Sequence, residues 1–181
     1  MAGRGGVVMA KTPDHKMLYW DQKVPYECRP NESIVRLAKN LTWELAREPL
    51  HHDIDFNKIN GIGPGMPFAN SILAANQEFG VIGLVPCARG GSKISDWQRG
   101  SGQGYYEELI SRAQNSAKNG ASIEALLWFQ GGSDAGNLED AKSYKSRVSK
   151  FFTDVRADLN SPNLLILQVC FFYSSKVFSA R

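Results

Sequence analysis

Two turns rich in glycine carry the groups of this sequence that are best suited to chemistry. One reads Arg-Gly-Gly-Ser at residues 89–92, and the other reads Gln-Gly-Gly-Ser-Asp at residues 130–134. Glycine lets a backbone approach a ligand closely, so these amides can face a developing negative charge, and a glutamine amide adds a donor. We therefore predict an oxyanion hole formed by Gly90 or Gly91 together with Gln130. A tight turn after a strand is the competing interpretation of the glycines alone.

No serine or cysteine of the sequence lies in a motif that clearly identifies it as a nucleophile. The segment around Ser133 approximates a Gly-x-Ser-x-Gly nucleophile elbow, with alanine in the last place. That arrangement requires a histidine later in the chain, whereas His15, His51 and His52 all precede Ser133. Cys87 has no histidine near it in the sequence, and we interpret it as a half-buried structural residue. The elbow and thiolate interpretations are both disfavoured.

The sequence predicts no metal and no cofactor. Its three cysteines are widely spaced and form no Cys-x-x-Cys pair, and adjacent histidines would point to opposite faces of an extended chain. It contains neither a Walker pattern nor a complete Gly-x-Gly-x-x-Gly that follows a strand. The 21 basic and 18 acidic residues are scattered, so no nucleic-acid partner is predicted. No apolar run is long enough to span a membrane, and no leader directs the chain to a compartment.

The elements that must position the two turns alternate regularly after Pro67. Apolar periodicity predicts three helices and three buried strands. We place the helices at 68–78, 105–119 and 139–159, and the strands at 81–85, 123–129 and 164–169. Such alternation is typical of an α/β fold with a parallel sheet that is covered on both sides. Both glycine turns follow strands, so they should meet at the carboxyl ends of the sheet, where ligands bind.

The first third of the chain differs in composition, being rich in Gly, Pro and Asn. This composition predicts loops and short strands. Between Ser33 and Ala46, apolar side chains occupy alternate positions: Val35, Leu37, Leu41, Trp43 and Leu45. This alternation predicts a hairpin with one buried face. A helical interpretation competes, but Thr42 and Trp43 favour a strand.

Several stretches resemble the plant carbohydrate esterases with a sialate O-acetylesterase-like (SASA) domain, a branch of the SGNH hydrolases. The resemblance runs from Met1 to about Val169. The matching stretches are Met1–Val7, Pro25–Pro30, Glu48–His51, Gly61–Met66, Gly83–Ala88 with Gly90–Ser92, Trp128–Gly131 and Phe151–Leu159.

The resemblance implies one domain over residues 1–181 with a three-layer α/β/α, flavodoxin-like SGNH-hydrolase fold. It also implies an enzyme of the carboxylic-ester hydrolase class, which removes acetyl groups from carbohydrate through a serine nucleophile, a histidine and an aspartate. Gly90 or Gly91 matches the oxyanion donor of the family's second block, and Gln130 matches the donor of the third. The expected partner is an acetylated carbohydrate.

The sequence departs from the family pattern at both ends. Met1 aligns just after the family's Ser-Asn pair, so we expect the first strand and the nucleophile to be missing. Residues 170–181 form a divergent tail where the family carries its Asp and His, and Gly132 replaces a usual glutamate. A truncated gene model or a splice product would explain these departures. We expect no measurable esterase activity, and self-association through the exposed edge of a sheet that lacks a strand.

Two other functions remain open at this point. A pseudoenzyme would keep a carbohydrate-binding surface without turnover, and the residues we expect there are Arg89, Ser92, Trp97 and Asp134. Trp97 would stack on a sugar ring, although a tryptophan among polar residues is as often a packed loop anchor. A nucleotide-binding flavodoxin-like domain is supported only by the predicted sheet architecture.

Overall fold

The computed structural model describes residues 2–11 and 16–169, and the divergent tail at 170–181 lies outside them. It has three α-helices: α1 (Gly65–Ala75), α2 (Tyr105–Ser116) and α3 (Leu138–Asp158). Its strands are β1 (Val7–Lys11), β2 (Lys16–Trp20), β3 (Ile34–Leu37), β4 (Trp43–Leu45), β5 (Ile82–Leu84), β6 (Ala125–Trp128) and β7 (Leu165–Gln168). The helices and strands predicted after Pro67 are therefore confirmed, with ends displaced by up to three residues. That residues 1–181 form one domain stays a prediction.

The strands form three separate groups within the described residues. β1 and β2 form an antiparallel hairpin, while β3 lies between antiparallel β4 and parallel β5. β6 and β7 form a parallel pair. The parallel pairings agree with the predicted α/β class, but β5 and β6 share no hydrogen-bonded ladder. The fold is thus mixed α/β, and the single parallel sheet of the prediction is present only as two parts.

The last strand is covered on one face only. Ile166 of β7 packs against the core under α3, as does its register partner Leu126 of β6. Leu165 and Leu167 point to the opposite face and are exposed. The expected cover on both sides of the sheet is not found at β7, because its side chains alternate between a face packed on the core and an exposed face.

The predicted hairpin around β3 and β4 is confirmed, with Val35 opposite Leu45 and Leu37 opposite Trp43. The prediction that one face of the hairpin is buried was wrong in part: Leu37 is buried on the predicted face, but Ile34 and Arg36 are buried on the opposite one. β3 is an interior strand and buries Arg36, whose guanidinium bonds to Asp53 at 2.7 Å, whereas Trp43 on the edge strand is exposed. Burial of the arginine is tolerated because carboxylates compensate its charge.

The sequence around residue 137 explains where α3 begins. The Asn137 side chain accepts hydrogen bonds from the N–H groups of Glu139 and Asp140, which caps the amino terminus of α3. Those two acidic residues in the first turn and Arg156 in the last turn also complement the helix dipole. In the part of the chain that the structure describes, no helix is both long and apolar enough to cross a membrane.

Two hydrophobic clusters hold these elements together. One joins α2, α3 and β6 to the segment after β5; its buried members are Ile94, Trp97, Tyr106, Leu109, Trp128, Val148, Phe151, Val155 and Leu164. The other joins β3 to α1; its buried members are Cys28, Ile34, Ala46, Leu50, Met66 and Ala69. Because the first cluster includes residues next to both glycine turns, packing positions the turns relative to each other.

We expect the protein to self-associate through its open strand edges. Among the described strands, β5 pairs only with β3, and β6 and β7 pair only with each other, so each of the three has one edge without a ladder partner. Unpaired edges flanked by exposed apolar side chains, such as Leu165 and Leu167, favour strand addition from another chain. Sedimentation velocity should show species larger than a monomer that grow with concentration.

A paired substitution tests where that association occurs. Leu165→Lys with Leu167→Lys places charges on β7 and should reduce the association. Val8→Lys, at an exposed apolar position of the β1–β2 hairpin, is the matched control and should leave it unchanged. A monomer at every concentration would contradict the expectation.

Candidate functional site

The structure brings the two glycine turns into direct contact. The Nε2 of Gln130 donates to the carbonyl oxygen of Ser92 at 2.9 Å. The carboxylate of Asp134 accepts from the backbone N–H of Ile94 at 3.1 and 3.2 Å, and from Gln130 Nε2 at 2.6 Å. The carboxyl ends of β5 and β6 therefore meet through these turns, although the strands themselves do not pair.

The two glycines of the first turn differ in the availability of their amide hydrogens. The N–H of Gly90 donates to Asp55 Oδ2 at 2.9 Å, and its carbonyl accepts from the Lys58 ammonium. Gly91 has a φ of +79°, a left-handed conformation that favours glycine. Its N–H has no hydrogen-bond partner among the described residues. Gly91 is thus the glycine whose amide is free to bind a ligand.

The side-chain amide of Gln130 donates its hydrogen bonds to other residues of the protein. Both hydrogens of its side-chain amide are used, one by the Ser92 carbonyl and one by Asp134. Its Oε1 is buried and has no partner within the described part of the chain. The orientation of the amide is set by its two neighbours, because both are acceptors. Gln130 therefore lies beside the predicted oxyanion hole and joins the two turns.

A cavity of about 440 Å³ opens beside the first turn. Its walls come from the loop at 54–58, the turn at 89–92 and the start of α2. The lining residues are Ile54, Asp55, Phe56, Asn57, Lys58, Arg89, Gly90, Gly91, Ser92, Asp96, Gln103, Tyr105 and Glu108. This volume falls in the range of sites that bind small molecules.

Arg89 forms a fixed part of the cavity wall. Its guanidinium donates to the carbonyl oxygen of Ile54 and forms an ion pair with Glu108. The same group lies 5.8 Å from the centre of the Tyr105 ring. These contacts tie the 54–58 loop to α2 across the first turn.

The carboxylates that line the cavity are each engaged by a nearby donor. Asp55 accepts from Gly90, Asp96 accepts from the backbone N–H of Lys93 at 2.8 Å, and Glu108 pairs with Arg89. Over residues 2–11 and 16–169, no group of three or more His, Cys, Asp or Glu side chains is placed to hold a metal ion. The carboxylates therefore shape the walls of the cavity.

Trp97 and Asp134 do not lie on a substrate-facing surface, and the prediction that they do was wrong. Trp97 is 3% exposed and packs edge-on against Trp128, with ring centres 5.5 Å apart. Its Nε1 donates to the Ser92 hydroxyl at 2.8 Å. Asp134 is 1% exposed because it satisfies buried donors of both turns. Both side chains have polar neighbours in the sequence, so their burial could not be predicted locally. It depends on packing partners that are distant in the sequence.

The other two residues expected at that surface, Arg89 and Ser92, do line the cavity. The Ser92 hydroxyl donates to the Arg89 carbonyl at 2.8 Å and accepts from Trp97. Among the described residues, no serine hydroxyl is hydrogen-bonded to a histidine. Ser92 therefore stabilises its own turn and lacks the neighbouring base that a serine nucleophile requires.

Burial changes the acid–base behaviour of two groups near the turns. Burial, reinforced by the positive charges of Arg89, Arg36 and Arg112, lowers the pKa of the His51 imidazole to about 3. Its Nδ1 is buried and unpartnered within the residues described. Burial raises the pKa of the Cys87 thiol to about 11, so this thiol is protonated at neutral pH and is a poor nucleophile.

The 54–58 loop is the part of the cavity that sequence reasoning missed. Phe56 is 63% exposed at the cavity, and Lys58 contacts the first turn from the same loop. The loop has no apolar periodicity and no motif, so it offers no signal to pattern reasoning. The nearest hint is the family-like stretch Glu48–His51, which ends shortly before it.

Comparisons with known proteins bear on the identity of this fold. A family model described as carbohydrate esterase, sialic acid-specific acetylesterase (SASA) matches residues 1–178. An Arabidopsis thaliana protein named as a probable carbohydrate esterase is 48% identical over 170 residues, or 93% of this chain. An X-ray structure of an Arabidopsis thaliana protein superimposes with a TM-score of 0.87 at 47% identity, covering 94% of this chain and 69% of that chain.

This chain spans 64% of the length of the curated relative that it matches. The match of the family model nevertheless extends over nearly every residue of the chain, and it includes both glycine turns and the 54–58 loop. The resemblance inferred from the sequence motifs is confirmed. On these grounds, the chain belongs to the SASA family of carbohydrate esterases.

Proposed function

We propose that this chain is a carbohydrate O-acetylesterase-like domain of the serine hydrolase type, whose site recognises acetyl esters on plant cell-wall carbohydrate. The observation that carries the proposal is the free N–H of Gly91, on a turn that lines a 440 Å³ cavity. The parallel pairs β3–β5 and β6–β7, with turns that meet at their carboxyl ends, support a three-layer SGNH arrangement.

Acyl transfer places negative charge on the ester carbonyl oxygen, and a fixed amide donor at that position stabilises the transition state. Gly91 fits this role better than Gly90, because Asp55 already accepts the Gly90 N–H. Gln130 holds the first turn through the Ser92 carbonyl, and it would have to exchange that contact to donate to a substrate. We therefore assign Gly91 as the donor and Gln130 as its adjacent support.

Turnover also needs a nucleophile and a base, and the described residues contain no serine–histidine hydrogen bond. In a serine protease, removing the catalytic serine or histidine costs roughly 10⁶ in turnover. We accordingly propose that this chain has no measurable esterase activity. The same observation favours a second candidate, a protein that binds carbohydrate without hydrolysing it.

An esterase assay tests the proposed lack of turnover. With p-nitrophenyl acetate and acetylated xylan as substrates, release of acetate should equal that in buffer. Turnover that is well above buffer and is abolished by Ser92→Ala or Ser133→Ala would contradict the proposal and identify the nucleophile within this chain.

Recognition of the acetyl group is tested by nuclear magnetic resonance. An acetylated xylo-oligosaccharide should shift the amide resonance of Gly91, and the deacetylated oligosaccharide should shift it less, because the ester carbonyl is then absent. The amide of Gly120, which also has a positive φ but lies outside the cavity lining, is the control. Equal shifts with the two sugars would favour the binding protein, and no shift with either would overturn both candidates.

A further inference from the structure

We propose that the cavity beside Gly91 is a subsite for one neutral sugar ring, with Phe56 as its stacking platform, and that it disfavours sugars bearing a carboxylate. This inference rests on the proposed function in one respect, that the ligand is a carbohydrate. It names the residues and the charge that select among carbohydrates.

Phe56 is the aromatic side chain best placed to contact a sugar. It lines the cavity, and 63% of its surface remains exposed, which is unusual for a phenylalanine. The Lys39 ammonium lies 4.6 Å from the ring centre and helps to hold the ring in place. The apolar face of a sugar ring can pack on such an exposed ring and remove it from water. Phe56 thus takes the role that Trp97, buried in the core, cannot fill.

The uncharged polar groups of the lining suit hydroxyl groups. The side-chain amides of Asn57 and Gln103 line the cavity, and neither has a hydrogen-bond partner within the described residues. An amide offers both a donor and an acceptor, as a sugar hydroxyl does. A cavity of about 440 Å³ has room for a sugar ring.

The charges of the lining do not favour an anionic sugar. The lining carries three carboxylates, those of Asp55, Asp96 and Glu108, but only two cations, those of Lys58 and Arg89. The guanidinium of Arg89 is occupied by Glu108 and a carbonyl oxygen, so it offers no free fork to a carboxylate. A carboxylated sugar would meet no surplus of positive charge here and would lose hydration without a free cation as partner, because Lys58 donates to the Gly90 carbonyl and Lys39 lies over the Phe56 ring.

Isothermal titration with three probes tests the inference: acetylated xylotriose, deacetylated xylotriose and O-acetylated N-acetylneuraminic acid. Both neutral sugars should bind, and the sialic acid should bind at least tenfold more weakly. Phe56→Ala should weaken binding of both neutral sugars about tenfold, which corresponds to about 1.4 kcal/mol, because the aromatic contact is lost. Tyr26→Ala is the matched control, because Tyr26 is exposed and has Arg29 over its ring at 5.3 Å.

The outcomes separate this subsite from the proposed function. Binding of deacetylated xylotriose that depends on Phe56 supports the subsite even if no acetyl preference is found, which would count against the esterase proposal alone. Unchanged affinity in Phe56→Ala would overturn the stacking role. Tighter binding of the sialic acid that is lost in Lys58→Ala would overturn the preference for neutral sugars, and no binding of any probe would overturn both proposals.

Discussion

Replacing Asp134 with alanine should lower the free energy of unfolding by about 2–6 kcal/mol, because each of the two donors that it satisfies would lose about 1–3 kcal/mol. The Asp134 carboxylate is 1% exposed and accepts from both the Ile94 N–H and Gln130 Nε2. Alanine would leave these donors buried without acceptors. Because the carboxylate joins the turn after β6 to the segment after β5, the loss should also loosen the geometry around Gly91.

Urea unfolding followed by tryptophan fluorescence measures this effect. Asp134→Asn keeps one acceptor oxygen and the side-chain shape, so its loss should be smaller than that of the alanine variant. Glu32→Ala removes an exposed carboxylate outside the helices and should change stability by less than about 0.5 kcal/mol. If Asp134→Ala were as stable as Glu32→Ala, the carboxylate would not be holding the two turns together.

Replacing Arg112 with methionine should cost a similar amount, about 3 kcal/mol or more, since three acceptors would lose their donor. Arg112 projects from α2 and is 3% exposed. Its Nε donates to the carbonyl of Pro86 at 3.0 Å, Nη1 to that of Ala38 at 3.1 Å, and Nη2 to that of Leu37 at 2.6 Å. These carbonyls follow or end the parallel strands β3 and β5, so one side chain ties α2 to both strands.

Two comparisons isolate the role of the guanidinium. Arg112→Lys keeps the charge but lacks the fork that reaches three carbonyls, so its stability should lie between those of wild type and Arg112→Met. Arg47→Met is the matched control, since Arg47 is exposed and should tolerate the change. Thermal unfolding curves of Arg112→Met and Arg47→Met that coincide would show that the buried hydrogen bonds do not contribute as argued.

Asp134 and Arg112 act at the two ends of the same segment. Arg112 holds its start at Pro86, and Asp134 holds its end at Ile94. Gly91 lies between these points, in a left-handed conformation with a free N–H. The proposed donor is therefore positioned by contacts that are distant in sequence, which is the condition under which a fixed dipole can support catalysis.

The predictable features of this protein are those encoded by neighbouring residues. Periodicity located α2 and α3, and alternation located the β3–β4 hairpin, because helix and strand repeats reflect local geometry. Polar context misled the interpretation of Trp97, since its burial depends on Trp128 and Phe151 from other elements. Burial of Arg36 was equally hidden, because the carboxylate that compensates it comes from Asp53.

The order of the elements, the family and the two glycine turns follow from runs of adjacent residues, so they can be inferred without coordinates. The folded chain was needed to show that the turns meet, that Gly91 rather than Gly90 keeps a free amide, and that Phe56 lines the cavity. Each of those facts depends on which donors and acceptors come together from distant parts of the chain. Hydrogen bonds of that kind follow from packing, which no local pattern of side chains specifies.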